Sequence, residues 1–241
     1  DFQLPLNYGS LTKTFGDEFN SIQLWNGSTG WRPDFGYGGY GTKTAHTLVQ
    51  NSELQLYVDP NFKGTSSQPL GINPFSAADG VLTITARRNT AAQEAAMWGY
   101  DYTSGLLTSK NMHSQQYGYF EIKAIMPKGA GFWPAFWLLP TNGAWPPELD
   151  VMEIVTRDPV QTHATMHSSA TGSRVTTTSG HYVSDVTENW HTYGVKWTAT
   201  DIVWYVDGVE IERAATPKDM HTPMYMLINL AIGGGWAGAP N

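Results

Sequence analysis

Three carboxylic acids stand within six positions of an otherwise apolar stretch that reads Trp-Pro-Pro-Glu-Leu-Asp-Val-Met-Glu-Ile-Val-Thr from residue 145. In a β-strand, Glu148 and Asp150 share one face, and Glu153 joins them only if one residue bulges out around Val151-Met152. With that bulge, two Glu side chains can bring their carboxyl groups to about 5–5.5 Å, the spacing of a retaining glycosidase. The pattern therefore predicts a double-displacement hydrolase.

The same acids could instead form a charged solvent-facing surface or a calcium site. Three acids on one strand repel one another, and a solvent-facing strand normally alternates them with Lys or Arg. No Lys or Arg occurs between Pro146 and Thr156. We therefore favour a catalytic role for Glu148, Asp150 and Glu153.

Four tryptophans offer flat apolar platforms that suit the C–H faces of sugar rings. Three of them are close to the acids in the sequence, and the fourth follows a run of glycines. Ordinary core packing is the alternative for such side chains. The predicted substrate-binding residues of this type are Trp133, Trp137, Trp145 and Trp236.

Two histidines, His163 and His167, share one face of a predicted strand and could suggest a metal site. No third ligand follows at a zinc-site spacing, and the helical His-Glu-x-x-His arrangement is absent. The sequence therefore predicts no metal in the site and no cofactor for catalysis. A hydrogen-bonded strand histidine remains an equal interpretation of His163.

The elements that must position these residues are short strands. The chain has 25 Gly and 14 Pro spread along its length, which leaves little room for long helices. Apolar and polar residues alternate at 81–87 and 119–126, and Asp207-Gly208 marks a hairpin turn. Further strands are predicted at 132–139, 148–155, 162–168, 192–198 and 224–232.

The segment Asn89 to Trp98 has helical composition, but we expect a loop or a single turn there. Many short strands without a βαβ rhythm predict an all-β fold, a two-sheet antiparallel β-sandwich. We expect residues 1–241 to form a single domain.

Composition excludes several classes of protein. The formal net charge of −7 argues against nucleic acid as a partner, and 13% aromatic with 41% hydrophobic residues excludes a disordered chain. The absence of Cys excludes disulfides, a thiolate zinc site and a Cys nucleophile. No apolar run approaches 18 residues and no leader is visible, so we expect a soluble mature chain without a membrane partner.

Several motifs together resemble glycoside hydrolase family sixteen. The Glu-Leu-Asp-Val-Met-Glu segment from residue 148 has the six-residue, bulged form found in its laminarinases and related bacterial β-glycanases. The motifs Phe15-Gly-Asp-Glu-Phe19, Trp133-Pro-Ala-Phe-Trp137 and Asn229-Leu-Ala-Ile-Gly-Gly234 match other strands of the family. The resemblance implies a concanavalin-like β-jelly-roll whose concave sheet forms an open glycan cleft.

The resemblance also implies residue roles. Glu148 would be the nucleophile, Asp150 the assisting acid and Glu153 the general acid and then base. Trp137 matches a subsite tryptophan of the family, and His167 matches a residue that reaches the sugar next to the cleavage point.

The resulting prediction is a secreted or periplasmic, monomeric, endo-acting retaining β-glycanase. Its polysaccharide substrate would be a β-1,3-glucan, a β-1,3-1,4-glucan or a bacterial exopolysaccharide, since the Trp-Pro-Pro segment resembles the branch that includes succinoglycan depolymerases. A transglycosylase would share every catalytic residue. A non-catalytic carbohydrate-binding module is a third interpretation.

Two departures from the family change these expectations. Many laminarinases carry an Arg where this chain has Leu106 and Leu107, so we do not expect laminarin to be the preferred substrate. The family's usual final strand, which supplies an Asp to a structural calcium, would follow Asn241, where this chain stops. We therefore do not expect structural calcium.

Overall fold

The structure, a computed structural model, describes residues 5–241 and is built mainly from β-strands. The strands are short because Gly, Pro and turn residues interrupt the alternating apolar pattern every few positions. In chain order they are β1 (Gln55–Tyr57), β2 (Phe75–Ala78), β3 (Val81–Ile84), β4 (Arg87–Arg88), β5 (Tyr102–Ser104), β6 (Leu106–Thr108), β7 (Gly118–Ala124), β8 (Phe132–Pro140), β9 (Glu148–Glu153), β10 (Gln161–Ser168), β11 (Val175–Tyr182), β12 (His191–Trp197), β13 (Asp201–Val206), β14 (Val209–Ala215) and β15 (Met224–Ile232).

The helices of the described chain are short: α1 (Lys43–His46), α2 (Ala91–Ala96), α3 (Gly234–Ala237) and 3-10 turns at Tyr8–Ser10 and Val49–Asn51. Helix α2 corrects the expectation of a loop or single turn at 89–98. The Thr90 side chain accepts from the backbone N–H of Gln93, whose side chain accepts from the Thr90 N–H, a capping box that stabilises the first turn. None of the helices between residues 5 and 241 is long and apolar enough to span a bilayer.

The chain divides into two compact units. Unit one contains residues up to Gly16, His113–Lys128 and Ala135–Met226, and unit two contains Asp17–Met112, Gly129–Pro134 and Leu227–Asn241. Strands β8 and β15 contribute residues to both units.

Unit one is an antiparallel sandwich. One sheet has the order β11-β10-β9-β8, and the other has the order β14-β13-β12-β7. The predicted hairpin at Asp207-Gly208 joins β13 to β14, and both turn residues have positive φ (51° and 76°), the conformation that a two-residue hairpin turn needs. The apolar sides of the two sheets face each other and form the core of this unit; its largest fully buried side chains include Phe136, Leu138, Leu149, Tyr193 and Trp197.

Unit two has its own small sheets: β1-β5-β4, the β2-β3 hairpin, and the antiparallel pairing of β6 with β15. A core cluster of Leu56, Val58, Phe62 and Met97 lies beside β1. Strands β1 and β5 are parallel, which differs from the purely antiparallel expectation. Parallel neighbours need a long crossover, and the 44 residues between them, which include α2, provide it.

Candidate active site

The acids of β9 lie on one face because the strand contains the predicted bulge. Across the ladder to β10, the partners are His167 for Glu148, Thr165 for Asp150 and His163 for Glu153. These partners alternate along β10 and share one face, and opposed residues of paired strands project to the same side. The extra residue is accommodated between Asp150 and Glu153, where the register to both β8 and β10 shifts.

The other side of β9 explains why the bulge is held in place. Leu149 and Met152 point into the core of unit one and are almost fully buried. The backbone carbonyl of Asp150 accepts a hydrogen bond of 2.9 Å from the indole N–H of Trp204, which lies on β13 of the opposite sheet. The bulge interrupts the strand ladder at this point, so the ladder cannot supply a donor to the Asp150 carbonyl. The buried Trp204 indole supplies that donor instead.

The carboxyl groups of Glu148 and Asp150 are close and poorly solvated, since their side chains are 14% and 4% exposed. Burial, then the charge of Asp150, raises the pKa of Glu148 well above its ordinary value. Burial, then the charge of Glu153, raises the pKa of Asp150 in the same direction. The pair therefore holds a shared proton more readily than two exposed carboxyl groups would.

His167 contacts this pair from β10. Its Nε2 lies 3.3 Å from Asp150 Oδ2 and 3.8 Å from Glu148 Oε1, and its Nδ1 lies 2.9 Å from the hydroxyl of Thr176 on β11. Both partners are satisfied if Nε2 donates to the carboxylates while Nδ1 accepts from Thr176. The imidazole is thereby oriented towards the acids.

The same three side chains are the group among residues 5–241 that could hold a metal ion, because one ligand atom from each of Glu148, Asp150 and His167 lies within 4.8 Å of the others. A cation there would occupy the lone pairs that the predicted nucleophile needs, so metal binding and covalent catalysis are mutually exclusive uses of this site. The expectations of no catalytic metal and no structural calcium stay predictions.

Trp145 borders the acids at the end of the strand occupied by Glu148. Its indole N–H donates a 2.5 Å hydrogen bond to Glu148 Oε2, and its ring centroid lies 5.9 Å from that of His167. Half of the residue's surface, 51%, is exposed, so a ligand can reach it. The structure thus gives Trp145 a direct contact to the predicted nucleophile in addition to an exposed aromatic surface.

The other three predicted tryptophans differ in their position relative to the acids. Trp137 pairs with Asp150 across the ladder to β8, on the same face as the acids, and is buried with 7% of its surface exposed. Trp133 and Trp236 belong to unit two, where their rings make an edge-to-face contact with centroids 5.2 Å apart. The assignment of these three residues to substrate binding stays a prediction.

Polar residues that the sequence did not predict for the site extend the acids' face across β11. The hydroxyl of Thr178 lies 2.8 Å from that of Thr165, next to the contact between Thr176 and His167. Arg174, just before β11, places its guanidinium carbon 5.3 Å from the centre of the Trp145 ring. The three successive threonines at 176–178 were the available signal, since β-branched residues favour strands.

Comparison with known proteins then decides the family. The model of the glycosyl hydrolases family 16 matches residues 72–241, which includes the bulged strand and all three acids. The chain belongs to this family.

Two curated relatives are similar to this chain in sequence. The chain is 51% identical over 240 residues to the endo-1,3-1,4-beta-glycanase EglC and 50% identical to the endo-1,3-1,4-beta-glycanase ExsH, both from Rhizobium meliloti (strain 1021). The match covers 99% of this chain but 50% of each relative, so the chain spans half of their length.

The laminarinase catalytic domain from Thermotoga maritima MSB8 superimposes with a TM-score of 0.73 at 26% identity, covering 93% of this chain and 88% of that chain. The likeness confirms the predicted antiparallel β-sandwich of the jelly-roll type. It also confirms the family resemblance seen in the motifs.

Proposed function

We propose that this chain is the catalytic part of an endo-acting β-glycanase that hydrolyses internal β-glycosidic bonds with retention of configuration. The observation that carries the proposal is the row of Glu148, Asp150 and Glu153 on one face of a bulged strand. Family 16 membership and the two rhizobial relatives support the hydrolase interpretation. The name that these relatives share favours a glycan containing β-1,3 and β-1,4 linkages.

In the first step, the Glu148 carboxylate attacks the anomeric carbon while Glu153 gives its proton to the glycosidic oxygen. The bond to the leaving sugar breaks, and that sugar departs with the proton. In the second step, Glu153 takes a proton from water, the resulting hydroxide attacks the anomeric carbon, and the Glu148 carboxylate leaves. Two inversions restore the original configuration.

Asp150 and His167 prepare Glu148 for this role. When Asp150 carries the proton that the coupled pair shares, Glu148 is the ionised partner, and the indole N–H of Trp145 donates to it. Once Glu148 is esterified its charge is gone, and the proton on Asp150 can be released without repulsion from it.

The experiment follows product configuration in two variants that lack one acid each. Proton NMR of the reducing end released by the wild type from β-1,3-1,4-glucan should show the β anomer first. Azide should restore turnover of an activated β-glycoside to Glu148→Ala as an α-glycosyl azide, because it attacks the vacated face directly. With Glu153→Ala, azide should intercept the glycosyl-enzyme and give the β-glycosyl azide.

An α anomer as the first product of the wild type would contradict double displacement. The same azide product from both variants would contradict the division of roles between the two glutamates. Substantial hydrolysis by a folded Glu148→Ala variant without azide would rule out Glu148 as nucleophile.

We further propose that the protein acts outside the cytoplasm as a monomer. A polysaccharide is too large to cross a membrane unaided, and the three acids all come from one strand of one chain.

A further inference from the structure

The turn between β10 and β11, which leads to Arg174, is held at its start by side-chain hydrogen bonds. Asp219 accepts hydrogen bonds of 2.7 Å from the hydroxyl of Ser168 and 2.7 Å from the backbone N–H of Ser169. The Ser168 hydroxyl also accepts from the N–H of Ala170 at 3.0 Å. These bonds hold the start of the turn, and Arg174 is the last residue of that turn before β11.

Arg174 lies over an aromatic ring, and among residues 5–241 it has no acidic partner. Its guanidinium carbon is 5.3 Å from the centre of Trp145, a cation–π distance. In the part of the chain that the structure describes, no carboxylate oxygen lies within 4.0 Å of its guanidinium nitrogens. The chain has 21 acidic and 14 basic residues, so a shortage of acids does not explain an arginine without an ion pair.

The surroundings of Arg174 are those of a subsite for a sugar. Trp145, which it covers, donates to Glu148, and His167 lies between Trp145 and Thr176. An exposed aromatic ring, an imidazole and a hydroxyl are groups that bind sugar rings and their hydroxyls. A guanidinium over such a ring still has N–H groups available, and its planar fork matches a carboxylate in bidentate fashion.

We propose that Arg174 and Trp145 form an anionic subsite that binds a carboxylate-bearing sugar of the glycan next to the cleaved residue. The inference rests on the proposed function, since it names the substrate class of the same site. The acidic sugar is a uronic acid or a sugar that carries a carboxylate substituent. The cation also offsets the repulsion that the catalytic acids exert on such a substrate.

The test compares one polymer in two charge states. β-1,3-1,4-Glucan and the same glucan with a fraction of its C6 hydroxyls oxidised to carboxylates are hydrolysed by the wild type, Arg174→Gln and Arg174→Lys. Arg174→Gln should raise KM for the carboxylated polymer at least about ten-fold and change KM for the parent less than about two-fold. For the carboxylated polymer, the KM of Arg174→Lys should lie between the KM of the wild type and that of Arg174→Gln. Lysine keeps the charge but not the planar fork.

Arg87→Gln is the matched control. It removes the same charge from an exposed arginine on β4 in unit two and should leave KM for both polymers unchanged. Added salt should lower wild-type kcat/KM for the carboxylated polymer towards the Arg174→Gln value, and should have little effect on the parent. A sulfated form of the glucan shows whether the subsite takes any anion or carboxylates in particular.

Binding to Glu148→Gln and to Glu148→Gln/Arg174→Gln, measured by calorimetry with both polymers, separates the two hypotheses. If the wild type hydrolyses neither polymer, the proposed function is wrong whatever the binding result. If hydrolysis occurs but Arg174→Gln weakens the binding of both polymers equally, or of neither, the anionic-subsite proposal is wrong and the glycanase proposal stands. A carboxylated polymer that Glu148→Gln does not bind also overturns the subsite.

Discussion

Glu148 and Asp150 are too close and too well buried for both to be charged without a cost to folding. The structure compensates this cost only in part, with the Trp145 N–H on Glu148 and the His167 ring beside the pair. Buried like charges of this kind occur where chemistry requires them, at the expense of stability. The site is thus a place where neutralising one residue improves the fold and abolishes the reaction.

Glu148→Gln should therefore melt above the wild type at neutral pH. Folding raises the pKa of such a carboxyl above its unfolded pKa of about 4.3. The group contributes its full stability at pH values below the unfolded pKa, and this contribution is lost as the pH rises through the folded pKa. The raised pKa of Glu148 makes the wild type lose stability over that range, whereas Gln does not titrate. The difference in melting temperature should be a few °C at pH 7 and should shrink towards pH 4. For a chain of this size, each kcal/mol of stability corresponds to about 2–4 °C in melting temperature.

Melting of both proteins between pH 4 and pH 8 measures this effect. Glu94→Gln, which removes a carboxylate from α2 outside the triad, is the matched control. A Glu148→Gln variant that melts below the wild type at pH 7 would contradict the buried like-charge pair.

At the scale of elements, the bulge of β9 depends on the opposite sheet. The indole of Trp204, 2% exposed, donates to the carbonyl of Asp150, at the residue where the register shifts. Without that donor, the carbonyl would be buried and unsatisfied. The sandwich therefore supports the geometry of the acids as well as their burial.

Trp204→Phe should destabilise unit one by about 1–3 kcal/mol, the cost of leaving a buried polar group without a partner. It should also lower kcat at temperatures far below melting, because Asp150 loses its backbone anchor. Trp190→Phe, at an exposed position (46%), is the control and should change neither the stability nor kcat. An unchanged melting temperature for Trp204→Phe would show that the hydrogen bond does not hold the bulge.

Much of this element-level structure is readable in the sequence. Strand β9, which carries the acids, and its neighbours β8 and β10 begin and end within about two residues of the predictions, because Gly, Pro and turn residues bound these segments. The bulge was predictable from the spacing of Glu148 and Glu153 alone. Strand β11 was not, since its residues are mostly exposed and carry no apolar alternation, and the contact of Arg174 with Trp145 depends on that strand's register.

Helix α2 shows a different reason for a wrong prediction. The many Gly and Pro residues along the chain favoured a loop there, whereas in the structure Thr90 and Gln93 form a capping box. A local capping interaction decided the structure there, because both cap hydrogen bonds form within four residues and need no distant partner.

At the scale of the whole molecule, each compact unit is assembled from three separate segments of chain, and neither is a continuous stretch. Independently folding domains are usually joined by linkers that few contacts cross. Here β8 and β15 pass through the division without a break in the strand. In this respect the two units differ from independently folding domains, and the single domain expected for residues 1–241 stays a prediction.

We therefore expect one cooperative unfolding transition. Trp204→Phe weakens unit one, and Tyr57→Phe weakens unit two by removing the buried hydroxyl that accepts a 2.9 Å hydrogen bond from Asn229. In a single cooperative domain, each variant should lower the melting temperature of the whole protein by about 2–4 °C per kcal/mol lost, in calorimetry and in tryptophan fluorescence alike. Two calorimetric transitions, of which each variant shifts only one, would show that the units are separate domains.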